Sequence, residues 1–310
     1  MKSVRSTIVC LLLLLLPAFT QAQTISLSKD DLTLYSSQYQ GERFPDGRPK
    51  VPDNILQRMK DVSIEEAWSV LRGEGYNNQF AGDWQMIFPD KPMVGRALTV
   101  QYMPKRPDVE TKIVEKGKKD GRIGAMNSWP IDMLTTGDVY VADAFGKMEW
   151  GTLIGDNLGN SIYAKSKNGV VFDGSVRDLE GLSEIEGFNA WVRGFHPSYI
   201  QEMMVTGINV PIRIGPAVVM PGDVVLAKKG GILFIPAHLA EKVVQTSEVV
   251  ALRDDFGHQR LKEGKFTPGQ IDTRWTKEIE DDFTKWLDSH PEKLKIPRAE
   301  MDKLLKSRTW

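Results

Sequence analysis

Between Gly155 and Asp178 the chain reads GDNLGNSIYAKSKNGVVFDGSVRD, with its chemically useful side chains at the two ends of the segment. Asp156 opens a helical pattern that runs to about residue 167. The backbone N–H groups of Asn157 and Leu158 therefore fall in a first turn, where they lack intrahelical acceptors and the helix dipole is positive. Entered through Gly155, such a turn can cradle a carboxylate. Farther along, the apolar run Gly169–Asp173 ends in a Gly174-Ser175 turn that delivers Arg177 and Asp178 side by side. A guanidinium offers a planar fork to a carboxylate or a ketone oxygen. An aspartate is a hard oxygen ligand suited to Mg²⁺ or Mn²⁺. One helix–turn–strand–turn unit thus holds an anion cradle, a cation and a metal ligand. Each part also has an ordinary reading: Asp156 as a helix cap, Arg177–Asp178 as a surface ion pair and Asp173 as turn chemistry.

Positioning those residues requires a sheet. Short runs rich in Val, Ile and aromatic residues at Val94–Tyr102, Val139–Ala142, Val170–Asp173, Ala190–Arg193, Ile212–Met220, Val224–Lys228 and Ile232–Ile235 read as strands. Gly230-Gly231 marks a hairpin between the last two. Helical patterns fall at 52–60, 63–72, 109–119, 156–167, 178–187 and 236–253, with Ser63 as an N-cap followed by Glu65 and Glu66. The aromatic, Gly- and Asn-rich segment 75–92 reads as an irregular loop. The mixture predicts an α/β sandwich.

Several ordered motifs reinforce that reading. They are Gly95-Arg96-Ala97-Leu98-Thr99-Val100, Gly137-Asp138-Val139, the run from Gly169 to Asp178, and Pro221-Gly222-Asp223-Val224-Val225 followed by Gly231 to Pro236. Together with an aspartate, twenty intervening residues and an Arg-Asp pair, they resemble the RraA-like family over roughly residues 60–255. More narrowly they resemble its class II pyruvate aldolases, the 4-hydroxy-4-methyl-2-oxoglutarate/4-carboxy-4-hydroxy-2-oxoadipate aldolases. The resemblance implies a swivelling β/β/α sandwich, assembled as a homotrimer or dimer of trimers with its active site at a subunit interface. It implies that Asp178 holds the divalent metal and that Arg177 binds the ketone and carboxylate side of the substrate. The N–H groups of Asn157 and Leu158 would grip the pyruvyl carboxylate, and Asp156 would orient a metal-bound water that shuttles protons. It further implies an acid from a neighbouring subunit's C-terminal helix, for which Glu248, Asp254 and Asp255 are candidates.

The expected activity is C–C cleavage of a small 2-oxo acid with release of pyruvate, with oxaloacetate decarboxylation as a companion because both pass through the same enolate. Two alternatives stand beside it: a non-catalytic binding or regulatory trimer of the same family, and a related dehydratase or lyase of sugar-derived acids.

The 310 residues divide by composition. Residues 1–22 carry Lys2 and Arg5, an apolar run Ile8–Leu16, then Pro17 and Thr20-Gln21-Ala22, the pattern of a secretory signal peptide too short to span a bilayer. Export to the periplasm, with no stable membrane insertion after cleavage, is the expectation. Residues 23–50 read as an extended arm, 51–260 as the catalytic domain and 261–310 as a helical extension with helices near Lys277–Ser289 and Arg298–Lys306. The only cysteine, Cys10, lies in the leader, which excludes disulfides, thiol nucleophiles and Cys-ligated metals from the mature chain. A net charge of -1 gives no electrostatic footprint for nucleic acid. His196, His238, His258 and His290 form no zinc spacing, and no G-x-S-x-G is present. The eight tryptophans are scattered and read as core or interface residues.

Overall fold

A computed structural model describes residues 25–306. Eleven strands form among them: β1 (Phe80–Ala81), β2 (Gln85–Met86), β3 (Met93–Pro104), β4 (Asp138–Thr152), β5 (Val170–Val176), β6 (Ala190–Phe195), β7 (Met203–Ile208), β8 (Ile212–Ile214), β9 (Ala217–Val219), β10 (Val224–Lys228) and β11 (Gly231–Ile235). The α-helices are α1 (Lys29–Tyr35), α2 (Asp53–Met59), α3 (Ile64–Gly73), α4 (Pro107–Lys119), α5 (Trp129–Asp132), α6 (Asp156–Ser166), α7 (Leu179–Ser183), α8 (Ala240–Lys262), α9 (Pro268–Ile271), α10 (Lys277–Ser289) and α11 (Arg298–Lys306).

One mixed sheet runs β1-β11-β10-β3-β4-β5-β6-β2, with β7 antiparallel to the second half of β3. Its centre, β3-β4-β5-β6, is parallel, and helices make the crossovers, as parallel pairing demands. Strand β5 shows how the sequence sets this up. Its side chains alternate across the sheet: Val170, Phe172 and Val176 join the core under α6 and α7, whereas Val171 joins the opposite core beneath the β8–β9 hairpin. Helices α2, α3 and α8 cover β10 and β11. Helix on one face and hairpin on the other give the β/β/α layering expected of the family.

The structure corrects several expectations. The arm is not extended: Ser28 caps α1 through an Asp31 N–H to Oγ bond of 3.1 Å, Leu32 is buried, and Gly47 turns the chain at φ 101°. Beyond that turn Arg48 is buried against Asp138, with both guanidinium–carboxylate contacts at 3.3 Å. The arm folds because it carries its own apolar anchor and a cation for a carboxylate buried in the domain. The run 212–220 is two strands, because Gly215 at φ 56° turns it into a hairpin with Ile212 opposite Val219. The 75–92 loop contains β1 and β2, paired to β11 and β6. Strand β7 was not expected, since Met203-Met204 and Gly207 weaken its β pattern. Helix 178–187 shortens to α7, while 236–253 lengthens to α8 and passes the expected boundary at 260. The far end of α8 supplies Phe256 to a cluster with Trp275, Phe283 and Trp286, so the helical extension shares a core with α8. Trp129, Trp191, Trp275 and Trp286 are all buried, as core tryptophans should be. The proposed leader lies outside the described residues.

Candidate active site

The two ends of the Gly155–Asp178 segment meet. Strand β4 ends at Thr152, Leu153 and Ile154 are buried, and Gly155 leads into α6. Strand β5 runs alongside: the Leu153 N–H donates to the Ser175 carbonyl at 3.0 Å, and the Arg177 N–H to the Ile154 carbonyl at 3.0 Å. These bonds hold the start of α6 beside the end of β5. A Cβ on Gly155 would lie 2.1 Å from Asp178 Oδ2 and 3.1 Å from Arg177 Nε, so the strand-end pair rests against the backbone of the helix start. Gly181 in α7 closes the other side, where a Cβ would lie 2.8 Å from the Cβ of Asp156 and 3.0 Å from its Oδ2. Asp156, Arg177 and Asp178 therefore share one rim, and two glycines let them approach.

Asp178 adopts the left-handed conformation, φ 57° and ψ 47°, which aspartate tolerates better than most residues. Although it occupies the N-cap position of α7, its carboxylate makes no cap hydrogen bond. The group turns instead toward Arg177, whose Nε is 3.4 Å from Asp178 Oδ2. The two side chains are 42% and 41% exposed, so both can take a ligand from solvent. The Asn157 N–H donates to Asp156 Oδ1 at 2.8 Å. Of the two amides expected to grip a carboxylate, that one must change partner to do so, whereas the Leu158 N–H occupies the next position of the same first turn.

Other residues near the site carried no sequence signal. Asn127 is buried and donates from Nδ2 to the Leu153 carbonyl at 2.6 Å, steadying the chain two residues before Gly155. Gly181 looked like any helical glycine. The His196 N–H donates to the Val176 carbonyl at 3.1 Å, and its Nδ1 faces Ser198 Oγ at 2.9 Å, so this histidine braces the end of β5. Asp173 is taken by Arg193, Nε to Oδ1 2.6 Å.

The three candidate acids lie on the part of α8 that packs beside α2, α3 and the helical extension. Glu248 is buried and bridged by Arg58 through bonds of 2.8 and 2.6 Å. Asp255 pairs with Lys293 at 2.6 Å. Burial raises the Asp254 pKa, with Glu66 adding to the rise. A carboxylate already clasped as Glu248 is would have to leave Arg58 to serve a neighbouring subunit.

Comparison with known proteins decides the family. The RraA-like family model, described as Aldolase/RraA, matches residues 62–234, more than half of the chain. The chain belongs to the RraA-like family. Within it, a putative 4-hydroxy-4-methyl-2-oxoglutarate aldolase of Halalkalibacterium halodurans is 30% identical over 127 residues, 41% of this chain and 60% of that protein. Protein DlpA of Legionella pneumophila is 24% identical over 203 residues, covering 65% of this chain but 31% of DlpA. The chain thus spans less than two thirds of either relative. Among solved RraA-like structures, a Streptomyces coelicolor protein described as an unusual member of the RNase ES inhibitor RraA family superposes with a TM-score of 0.59. It shares 25% identity over 68% of this chain and 100% of its own.

Proposed function

We propose that this RraA-like protein is a divalent-metal-dependent C–C lyase that cleaves small 2-oxo acids and releases pyruvate, as an aldolase, an oxaloacetate decarboxylase or both. One observation carries the reading: a Cβ on Gly155 would strike both Arg177 and Asp178, so a helix start, a guanidinium and a half-exposed carboxylate face one small space. The aldolase names of the bacterial relatives point the same way.

Among the described residues no three His, Cys, Asp or Glu side chains converge on a metal site. An ion here would be held by Asp178 with waters and substrate oxygens, a donor set that Mg²⁺ and Mn²⁺ accept. When bound, the ion supplies positive charge to the substrate's ketone oxygen. Arg177 adds a second cation directed at the same oxygen or at the adjoining carboxylate. The first turn of α6 receives the carboxylate through the Leu158 N–H, joined by that of Asn157 once it leaves Asp156. Asp156, on the same rim, accepts the proton that must leave the C4 hydroxyl, directly or through a water. In the decarboxylation no hydroxyl proton is removed, and Arg177 stabilises the developing enolate.

Self-association belongs to this proposal, since Arg177 and Asp178 stand half-exposed and a second subunit could roof them and lend an acid. So does export: residues 1–22 carry that expectation. In the described residues no helix is long and apolar enough to cross a membrane.

The likeness to the Streptomyces RNase ES inhibitor relative, which this fold covers end to end, favours one second reading: a binding protein that uses the same rim without catalysis. A pyruvate-release assay separates the two. The purified chain, offered oxaloacetate and a panel of 4-hydroxy-2-oxo acids with Mg²⁺ or with a chelator, is expected to show chelator-sensitive turnover. No turnover on any of them, together with no affinity for Mg²⁺ or Mn²⁺, favours the binding protein.

A further inference from the structure

A second concave region lies away from Arg177 and Asp178, where the arm folds back over the domain. One cavity of about 380 Å³ is bounded by Tyr35 and Tyr39 of the arm, Tyr76 after α3, Asp223 before β10 and His238 before α8. A neighbouring cavity of about 410 Å³ shares Tyr39 and His238 and adds Glu42 and Glu241. Both fall within the size range of small-molecule sites.

Three features set the chemistry. First, Asp223 is buried and is held by backbone groups, with the Met220 N–H donating to Oδ2 at 2.8 Å. Among the described residues no lysine or arginine pairs with it, and burial pushes its pKa up to about 7. Secondly, the walls carry carboxylates and no lysine or arginine. The nearby Arg43 is committed to Ser36 Oγ and to the Ser36, Tyr39 and Gly47 carbonyls, and its guanidinium lies over the Tyr39 ring, 5.7 Å from the centroid, so the ring faces left for a ligand cation are chiefly those of Tyr35 and Tyr76. His238 does not supply the missing charge, because burial lowers its pKa, and its Nε2 faces Tyr76 Oη at 3.4 Å. Thirdly, three tyrosine rings surround the space, and Tyr35 is 56% exposed at its mouth. Aromatic faces with an unpaired carboxylate suit a cation with apolar substituents. They oppose the carboxylate of a 2-oxo acid.

We propose that this arm-covered cavity is a second binding site, for a small organic ammonium ion, with Asp223 as the counter-charge and Tyr35, Tyr39 and Tyr76 as its aromatic walls. The inference does not depend on the lyase reading. Because two of the three rings come from the arm, the site exists only when the arm is folded on the domain.

Calorimetric titration tests it with choline, its neutral isostere 3,3-dimethylbutan-1-ol, and pyruvate. Choline is expected to bind about tenfold more tightly than the alcohol, the discrimination a desolvated cation–aromatic contact provides, and pyruvate is expected to leave this site alone. Asp223→Asn should erase the preference for choline. Tyr35→Ala, an exposed ring whose loss leaves the core intact, should weaken choline severalfold. Asp178→Ala should leave the choline affinity unchanged. Equal affinity for choline and the alcohol, or no binding of choline, overturns the proposal. If Asp223→Asn does not fold, unchanged choline affinity in Tyr35→Ala overturns it equally.

Discussion

Two Arg–Asp pairs of almost equal separation do opposite work. Arg48 and Asp138 meet through two contacts of 3.3 Å with side chains 2% and 0% exposed. Arg177 and Asp178 approach at 3.4 Å with two fifths of each side chain in solvent. In the first pair every donor is enclosed: Asp138 also accepts from the Thr135 N–H and hydroxyl, and Arg48 also reaches Asp46. In the second, neighbouring glycines hold the backbone close while the charged ends stay open. Burial turns the same chemistry into a rivet that fixes the arm or into a site that can take a ligand. Desolvated charges must be kept paired, and exposed ones interact weakly enough to exchange partners.

The sharpest way to break this contrast is to remove one half of the rivet. Arg48→Ala leaves Asp138 buried without its cation and should cost about 3–5 kcal/mol in chemical denaturation. A change under about 1 kcal/mol would mean that the arm's pair is no more structural than the rim's. Next comes the rim. Asp178→Ala and Arg177→Ala should each lower pyruvate release by about 10²–10³-fold. Each should shift unfolding by less than about 1 kcal/mol, so a loss of activity that tracks a loss of fold would defeat the distinction.

Asp223 supplies a pH test of a buried carboxyl with no cation. Its folded pKa, raised to about 7, lies above the unfolded value, so the folded state binds the extra proton between those limits. Its contribution is therefore fully present at acid pH. It declines as pH rises from about 4 toward 7, by at most about 1.4 kcal/mol per pH unit. Asp223→Asn should flatten that part of the stability profile, and an unchanged slope would show that the carboxyl ionises freely in the fold. The smallest effect is expected from Gly155→Ala. Its methyl would displace the Asp178 carboxylate, and turnover should fall about tenfold, a shift of roughly 1.4 kcal/mol, with the fold retained.

Much of this was legible in the sequence because it is local. The Val- and aromatic-rich run Val170–Asp173, the Ser63 cap and the turn before Arg177 each rest on neighbouring residues, and the ordered motifs tied them to the RraA-like family. The arm's fold was not legible, because the partner of Arg48 lies ninety residues away and composition reports no such pairing. Strand β7 was hidden for a related reason: Met203–Ile208 is a strand because the far half of β3 has an open edge to fill. At the site the residue types, their order and the glycine before Asp156 were all determined by sequence. Tertiary structure decided that Gly181 faces Asp156, that Asn127 holds the Leu153 carbonyl, and that Glu248 is bound to Arg58. Local pattern carries the periodicity and turn chemistry of a single stretch. Which distant groups share a desolvated space, and so must pair or stay open, depends on how the whole chain packs.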